Sequence, residues 1–266
     1  MNCEKVSEQI TLWLKDQVCR AGMKGLVIGV SGGVDSAVTS ALCARTGLPV
    51  IAVSMPILQK TDQNERATEH LVWLRDRHPN VTIYVTDLSR SYLALLDDLP
   101  ECASTELGCV NSRSRLRMTA LYAYANSSHY MVCGTGNKVE DFGIGFFTKY
   151  GDGGVDLSPI GDLLKSEVYE LARYIGVPQS IQAAAPTDGL WEEDRTDEAQ
   201  IGASYDEIEW AMHYCKKKSL KDPPDISSRE DLTPRQKDVL SIYLKRHRAN
   251  RHKMTMPPVC TLNKDT

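Results

Sequence analysis

Leu26-Val27-Ile28-Gly29-Val30-Ser31-Gly32-Gly33-Val34-Asp35-Ser36 is the stretch on which the fold turns. Three apolar residues run into a glycine-rich turn, and Ala37 to Thr46 continues in helix-compatible residues. A strand that feeds a tight turn and then a helix is the opening of a parallel βαβ unit. The turn is also an anion site. The first N–H groups of a helix have no partner within it, and the helix dipole puts partial positive charge there. Gly32 and Gly33 let the backbone come close to phosphate oxygens, and Ser31 and Ser36 add hydroxyl donors. Asp35 repels phosphate, so its presence makes sense if a magnesium ion sits between the two. No Gly-Lys-Ser/Thr follows the glycines, which excludes a Walker A loop.

On both sides of this loop, short apolar strands alternate with helical patterns. Helices are expected over 7–21, 34–46, 61–77, 88–99 and 111–126, and strands over 50–54, 81–85 and 130–133. The alternation predicts an α/β fold, a Rossmann-like parallel sheet with helices on both faces. Ligands bind such sheets beyond the carboxyl ends of the strands, so Ser31-Gly32-Gly33 and Gly134-Thr135-Gly136 should share one edge. Residues 143–161 mix many glycines with aromatic and charged residues, which marks a functional loop. A helix over 162–175, a mobile polar loop at about 183–203 and a helical tail at about 204–266 complete a single expected domain over 1–266.

Bulk composition narrows the function. The 266 residues are 42% hydrophobic and 25% charged, as in an ordinary globular protein. A net charge of −4, from 35 acids against 31 bases, argues against a dedicated nucleic-acid binder. No apolar run is long enough to span a membrane. The opening Met1-Asn2-Cys3-Glu4-Lys5 has no apolar export region, so reduced thiols and a cytoplasmic location are expected. The eight cysteines form no C-x-x-C pair, and zinc has little support.

The Ser-Gly-Gly-x-Asp-Ser loop resembles that of the ATP pyrophosphatase superfamily, of adenine-nucleotide α-hydrolase fold. Three further runs narrow the resemblance: Gly134-Thr135-Gly136-Asn137-Lys138, Phe146-Phe147-Thr148-Lys149-Tyr150-Gly151-Asp152-Gly153-Gly154-Val155-Asp156, and Pro186-Thr187-Asp188-Gly189-Leu190-Trp191. Together and in this order they resemble the ammonia-dependent NAD⁺ synthetases, from about residue 24 to Pro258. The resemblance implies that deamido-NAD⁺, ATP and ammonia give NAD⁺, AMP and pyrophosphate through an acyl-adenylate, with no covalent protein nucleophile. It implies ATP contacts at Gly29, Val30, Ser31, Gly32, Gly33, Val34, Asp35, Ser36, Thr135, Lys165 and Thr187. It implies deamido-NAD⁺ contacts at Arg115, Lys149, Asp156, His252 and Lys253, and Mg²⁺ held by Asp35 and Glu140. It further implies a homodimer, with the 183–203 loop closing once both substrates are bound.

Two departures stand out. Val34 replaces the more usual Gln, and valine there also occurs in GMP synthetases and tRNA thiolases. The spacing from Gly134-Thr135 to Phe146-Phe147 is one residue longer than usual, so counting from the left selects Glu140 as the metal ligand and counting from the right selects Asp141. Glu140 is preferred. A tRNA thiolase would need catalytic cysteines or a C-x-x-C cluster. A GMP synthetase would leave the Phe-Phe-Thr-Lys-Tyr-Gly-Asp-Gly-Gly run unexplained. A silent nucleotide-binding module would be expected to lack a carboxylate that this chain keeps. No glutaminase sequence accompanies the synthetase-like region, so free ammonia, or ammonia delivered by a partner, is the expected nitrogen source.

Overall fold

Four parallel strands, β1 (Gly25–Gly29), β2 (Val50–Ser54), β3 (Val81–Val85) and β4 (Tyr130–Cys133), lie in the order β3-β2-β1-β4. The structure, a computed structural model, describes residues 1–59, 61–187, 196–218, 226 and 229–263. Leu26 pairs with Val50 on one side and with Met131 on the other, which makes β1 central. The chain winds from β1 outward to β3 and then returns to lay β4 on the opposite side of β1. The strand order therefore reverses between β1 and β4, and the crevice of a doubly wound sheet opens there.

Side-chain alternation along the strands feeds two cores. Leu26, Ile28, Val50 and Ala52 pack with α1 (Cys3–Arg20), α2 (Val34–Arg45), α3 (Thr61–Arg77) and α6 (Lys165–Ile175). Val27, Val53 and Val132 pack on the other face with α4 (Ser89–Asp98) and α5 (Glu106–Ser128). Each fully buried Leu or Ile contributes roughly 2 kcal/mol, so apolar runs of three or four residues suffice when both faces are covered. A short helix, α7 (Gln179–Gln182), follows α6. A third core joins α8 (Asp197–Ile201), α9 (Tyr205–Lys218) and α10 (Pro234–Asn250) to a π-helix over Lys138–Ile144.

The differences from expectation are local. Asn2 caps α1 by accepting the Lys5 N–H, so the helix starts at Cys3 rather than residue 7. Thr105 caps α5 in the same way, and His129 ends it in the left-handed region at φ 59°. α6 begins at Lys165, where the Glu167 carboxylate accepts the Leu164 N–H. The loop expected at 183–203 contains α8, started by Thr196 and anchored by buried Ile201, while 188–195 lie outside the described residues. The π-helix was not expected. It lies within the stretch from Gly134-Thr135 to Phe146-Phe147 where one extra residue is expected, and such widened turns occur mostly at functional sites.

His70 ties α3 to α2 beneath the glycine loop. It is fully buried, and its Nε2 lies 2.8 Å from Ser40 Oγ. Ser40 Oγ also donates to the Ser36 carbonyl at 2.7 Å, and His70 Nδ1 has no hydrogen-bond partner among the described residues. Burial lowers the His70 pKa from 6.5 to about 4. The unfolded chain thus binds the extra proton first, and stability falls as pH drops from about 6.5 towards 4. The shift corresponds to about 3 kcal/mol at the bottom of that window. Denaturant unfolding of parent and His70→Gln between pH 7 and 4 checks this: the parent should lose stability more steeply, and parallel profiles would exclude His70 as the source.

Candidate functional site

The loop after β1 is held open by its own residues. Gly32 sits at φ 86°, and a Cβ there would meet the Gln63 carbonyl oxygen at 2.8 Å and the Ala67 nitrogen at 3.0 Å. Only glycine meets both demands. Gly33 is the N-cap of α2 and has no side chain to satisfy the first-turn donors. A Cβ at Gly33 would meet only Ser31 Oγ, at an ordinary 3.5 Å, so the fold itself does not require glycine there. Ser36 Oγ donates to the Gly33 carbonyl at 2.9 Å and accepts the Ser31 N–H at 3.2 Å, which ties the two ends of the turn together.

A buried charged centre sits beside this loop. Lys165, from the first turn of α6, places Nζ 2.5 Å from Asp35 Oδ2 and 2.9 Å from Glu140 Oε1. Asp35 rides on the first turn of α2 and Glu140 on the π-helix. Fully buried Asn137 connects them. Its amide donates to Asp35 Oδ1 at 3.1 Å, and its carbonyl oxygen accepts the Val139 and Glu140 N–H groups. Tyr205, from α9, donates to Glu140 Oε1 at 2.6 Å and approaches Asp197 Oδ2 at 3.1 Å. Burial works against the Lys165 ammonium, but the Asp35 and Glu140 carboxylates outweigh it and hold its pKa above the ordinary lysine range. Burial also opposes the charged form of Glu140, yet Lys165 and the Tyr205 hydroxyl keep its pKa below normal. At Asp35 burial prevails and moves the carboxyl upward. Two carboxylates that converge on one point form a hard oxygen donor set, suited to Mg²⁺ shared with substrate phosphates.

The π-helix separates the two acids that spacing alone left in question. Glu140 turns to Lys165 and Asp35, whereas Asp141 packs against Gly136, where a Cβ would collide with its carboxylate. Burial first, then the Asp152 and Glu140 charges, raise the Asp141 pKa well above normal.

The residues expected to contact ATP come together. Gly29 to Ser36, Thr135, Glu140, Lys165 and Thr187 all line one pocket of about 260 Å³ at the carboxyl ends of β1 and β4. Those expected to contact deamido-NAD⁺ lie outside it. Arg115 Nε donates to the Lys149 carbonyl at 3.3 Å, and Lys149 Nζ to the His252 carbonyl at 2.7 Å. Lys253 Nζ donates to the Phe147 carbonyl at 2.6 Å and lies over its ring, so four of the five form one patch around the 146–153 loop. Asp156 stands apart, accepting from Tyr122 Oη and the Val132 N–H beside a shallow groove lined by Met118, Tyr122, Asn126 and Tyr150. Asn137, Tyr205 and Asp197 were not anticipated. Asn137 carried a readable signal, a capping residue after Gly-Thr-Gly. Tyr205 reaches Glu140 from 65 residues away and left no local trace.

Sheet order, the glycine turn and the acid pair beside it define an adenine-nucleotide α-hydrolase-like protein. Within that class the chain belongs to the NAD synthase family, whose profile matches residues 6–257. It is 41% identical to an NH₃-dependent NAD⁺ synthetase of Carboxydothermus hydrogenoformans, over 80% of this chain and 86% of that one. It is 37% identical to the enzyme of the same name from Methanosarcina mazei, over 97% and 98%. NMN synthetase from Francisella tularensis has a similar structure, with a TM-score of 0.83 and 30% identity over 98% of this chain and all of that one.

Lys165→Met would leave two carboxylates facing each other without their cation. A loss of about 3 kcal/mol is expected in metal-free denaturant unfolding. An unchanged midpoint would mean that the acids are neutralised by something other than Lys165.

Proposed function

We propose that this chain amidates deamido-NAD⁺ with ammonia, using ATP, to give NAD⁺, AMP and pyrophosphate. The observation that carries this reading is the convergence of Asp35 and Glu140 beside the glycine loop, at the reversal of strand order. In the first step a nicotinate carboxylate oxygen attacks the α-phosphorus, the bond to the bridging oxygen breaks, and pyrophosphate leaves. In the second, ammonia attacks the acyl carbon of the adenylate, AMP leaves, and the nitrogen loses a proton. Family membership supports the net reaction; the adenylate intermediate is our inference.

Each group then has a task in positioning or charge stabilisation, with no covalent step on the protein. The N–H groups of Gly32 to Ser36 and the Ser31 and Ser36 hydroxyls receive phosphate oxygens. The absence of a side chain at Gly33, which the fold itself does not require, leaves room for that approach. Thr135 and Thr187 add hydroxyls on the pocket wall. Lys165, held by both carboxylates, would turn to the phosphates if a metal took its place between them. Mg²⁺ held by Asp35 and Glu140 would neutralise charge on the pyrophosphate leaving group. Arg115, Lys149, His252 and Lys253 hold the dinucleotide acid, with Asp156 at the edge of the groove.

The assembly that fits this reading is a cytoplasmic homodimer, with neither nucleic acid nor membrane as partner. Tyr84 and Val85 on the edge strand and Leu93 and Leu107 on α4 and α5 expose apolar surface on the face that carries the groove. Among the described residues, no helix is long and apolar enough to cross a membrane.

The deciding assay combines the protein with ATP, Mg²⁺, ammonium and deamido-NAD⁺ and separates the nucleotides. NAD⁺ and AMP should appear in equal amounts, and no AMP would overturn the reading. The likeness to an NMN synthetase makes nicotinate mononucleotide the competing acceptor, to be run beside it. Asp35→Asn should abolish Mg²⁺-dependent turnover while the fold persists. Lys149→Ala should raise KM for deamido-NAD⁺ more than for ATP; a change in ATP dependence alone would remove Lys149 from the acceptor site.

A further inference from the structure

We infer that Arg66 is a positioning residue for the β- and γ-phosphates, clamping the pyrophosphate end of ATP from the α3 side of the glycine loop. The assignment rests on the nucleotide reading above. Three cations line the pocket among the described residues: Lys165, Arg117 and Arg66. Lys165 is committed to Asp35 and Glu140. Arg117 is turned to the Met55 carbonyl at 3.0 Å and to Gln59 Oε1 at 3.2 Å.

Arg66 differs from both. Its Cβ would lie 3.2 Å from a Cβ built on Gly32, so it stands directly against the turn. Its Nη1 is engaged by Asp62 at 3.0 Å, one helical turn back on α3. That acid is 62% exposed, so the pair is weak and readily exchanged. The guanidinium Nε is buried and has no hydrogen-bond partner among the described residues. An unsatisfied buried donor costs free energy that an arriving acceptor recovers. A guanidinium with free donors matches two phosphate oxygens at once, which an ammonium does not. Lys165 and Arg66 thus bracket the loop, one from the β4 side and one from α3. Asp62 serves as the resting partner that the phosphate replaces.

The test is calorimetric binding of inorganic pyrophosphate with Mg²⁺ to the full chain, with AMP titrated in parallel. Arg66→Ala should weaken pyrophosphate about tenfold or more and leave AMP within about twofold. Arg66→Lys should fall between, and Asp62→Asn should bind pyrophosphate as tightly as the parent or more tightly, because it releases the guanidinium. These two variants keep the question answerable if the alanine form does not fold. Unchanged pyrophosphate binding in Arg66→Ala or Arg66→Lys, or equal weakening of AMP and pyrophosphate, overturns the assignment. A parent chain that binds neither pyrophosphate nor ATP overturns the nucleotide reading itself and the assignment with it.

Discussion

Lys165 between Asp35 and Glu140 is the contact to which the other parts of the molecule are fitted. The three residues come from α6, α2 and the π-helix, so the ion triad fastens three separate segments at one point. Removing charges from water costs several kcal/mol each, and a buried pair recovers this only with good geometry and further hydrogen bonds. Asn137 and Tyr205 supply those bonds, and each also anchors another element: Asn137 the start of the π-helix, Tyr205 the start of α9. With two acids and one base the centre keeps one net negative charge, enough to receive a cation but not a bare phosphate.

Topology explains why the centre forms where it does. The switch between β1 and β4 leaves a crevice at the carboxyl edge, and the loops that leave these two strands are the ones richest in glycine and small polar residues. α6 packs on α2 in the same core, which delivers Lys165 to the crevice from behind the loop. The C-terminal helix α9 meets the sheet core at α6, where Glu209 accepts from the Ser166 N–H and hydroxyl. With α10 it forms a cluster on the π-helix, and Tyr205 reaches from that cluster into the charged centre, bonding Glu140 and facing the Lys165 ammonium. Changes in that cluster would therefore reach the charged centre through Glu140 and through Lys165.

Local patterns made most of the fold legible. Short apolar stretches marked the strands: β1 and β2 are covered on both faces and needed no alternation, whereas edge strand β3 exposes Thr82, Tyr84 and Val85. Caps escaped notice where the residue lay outside the apolar stripe, as with Asn2 and Thr105. The extra residue before Phe146 was countable in the sequence, but its resolution was not. Whether it bulged towards solvent or widened a helical turn depended on α9 and α10 packing against Val139 and Ile144, a contact with no local signature. The residues that share the pocket were readable because short loops carry them. The patch around the 146–153 loop was harder, since Lys149 and His252 meet across 103 residues.

Charge then decides the order in which ligands can enter. Asp35, Glu140, Asp141, Asp152 and Asp197 line the pocket against Arg66, Arg117 and Lys165 among the described residues. Unit charges about 4 Å apart interact by about 4 kcal/mol at an effective dielectric near 20, so each of these acids that stays ionised disfavours a naked triphosphate. On the proposed reading, a divalent cation held by Asp35 and Glu140 would reverse the balance, because it would bring two positive charges and free Lys165 from its acids. Metal and nucleotide would then enter as a unit, and the same acids that repel phosphate would hold the metal that carries it. A pocket lined with lysines would bind ATP without metal, and pyrophosphate afterwards would be slow to leave. An acidic pocket that is attractive only while the metal is present binds its substrate conditionally and releases its product easily.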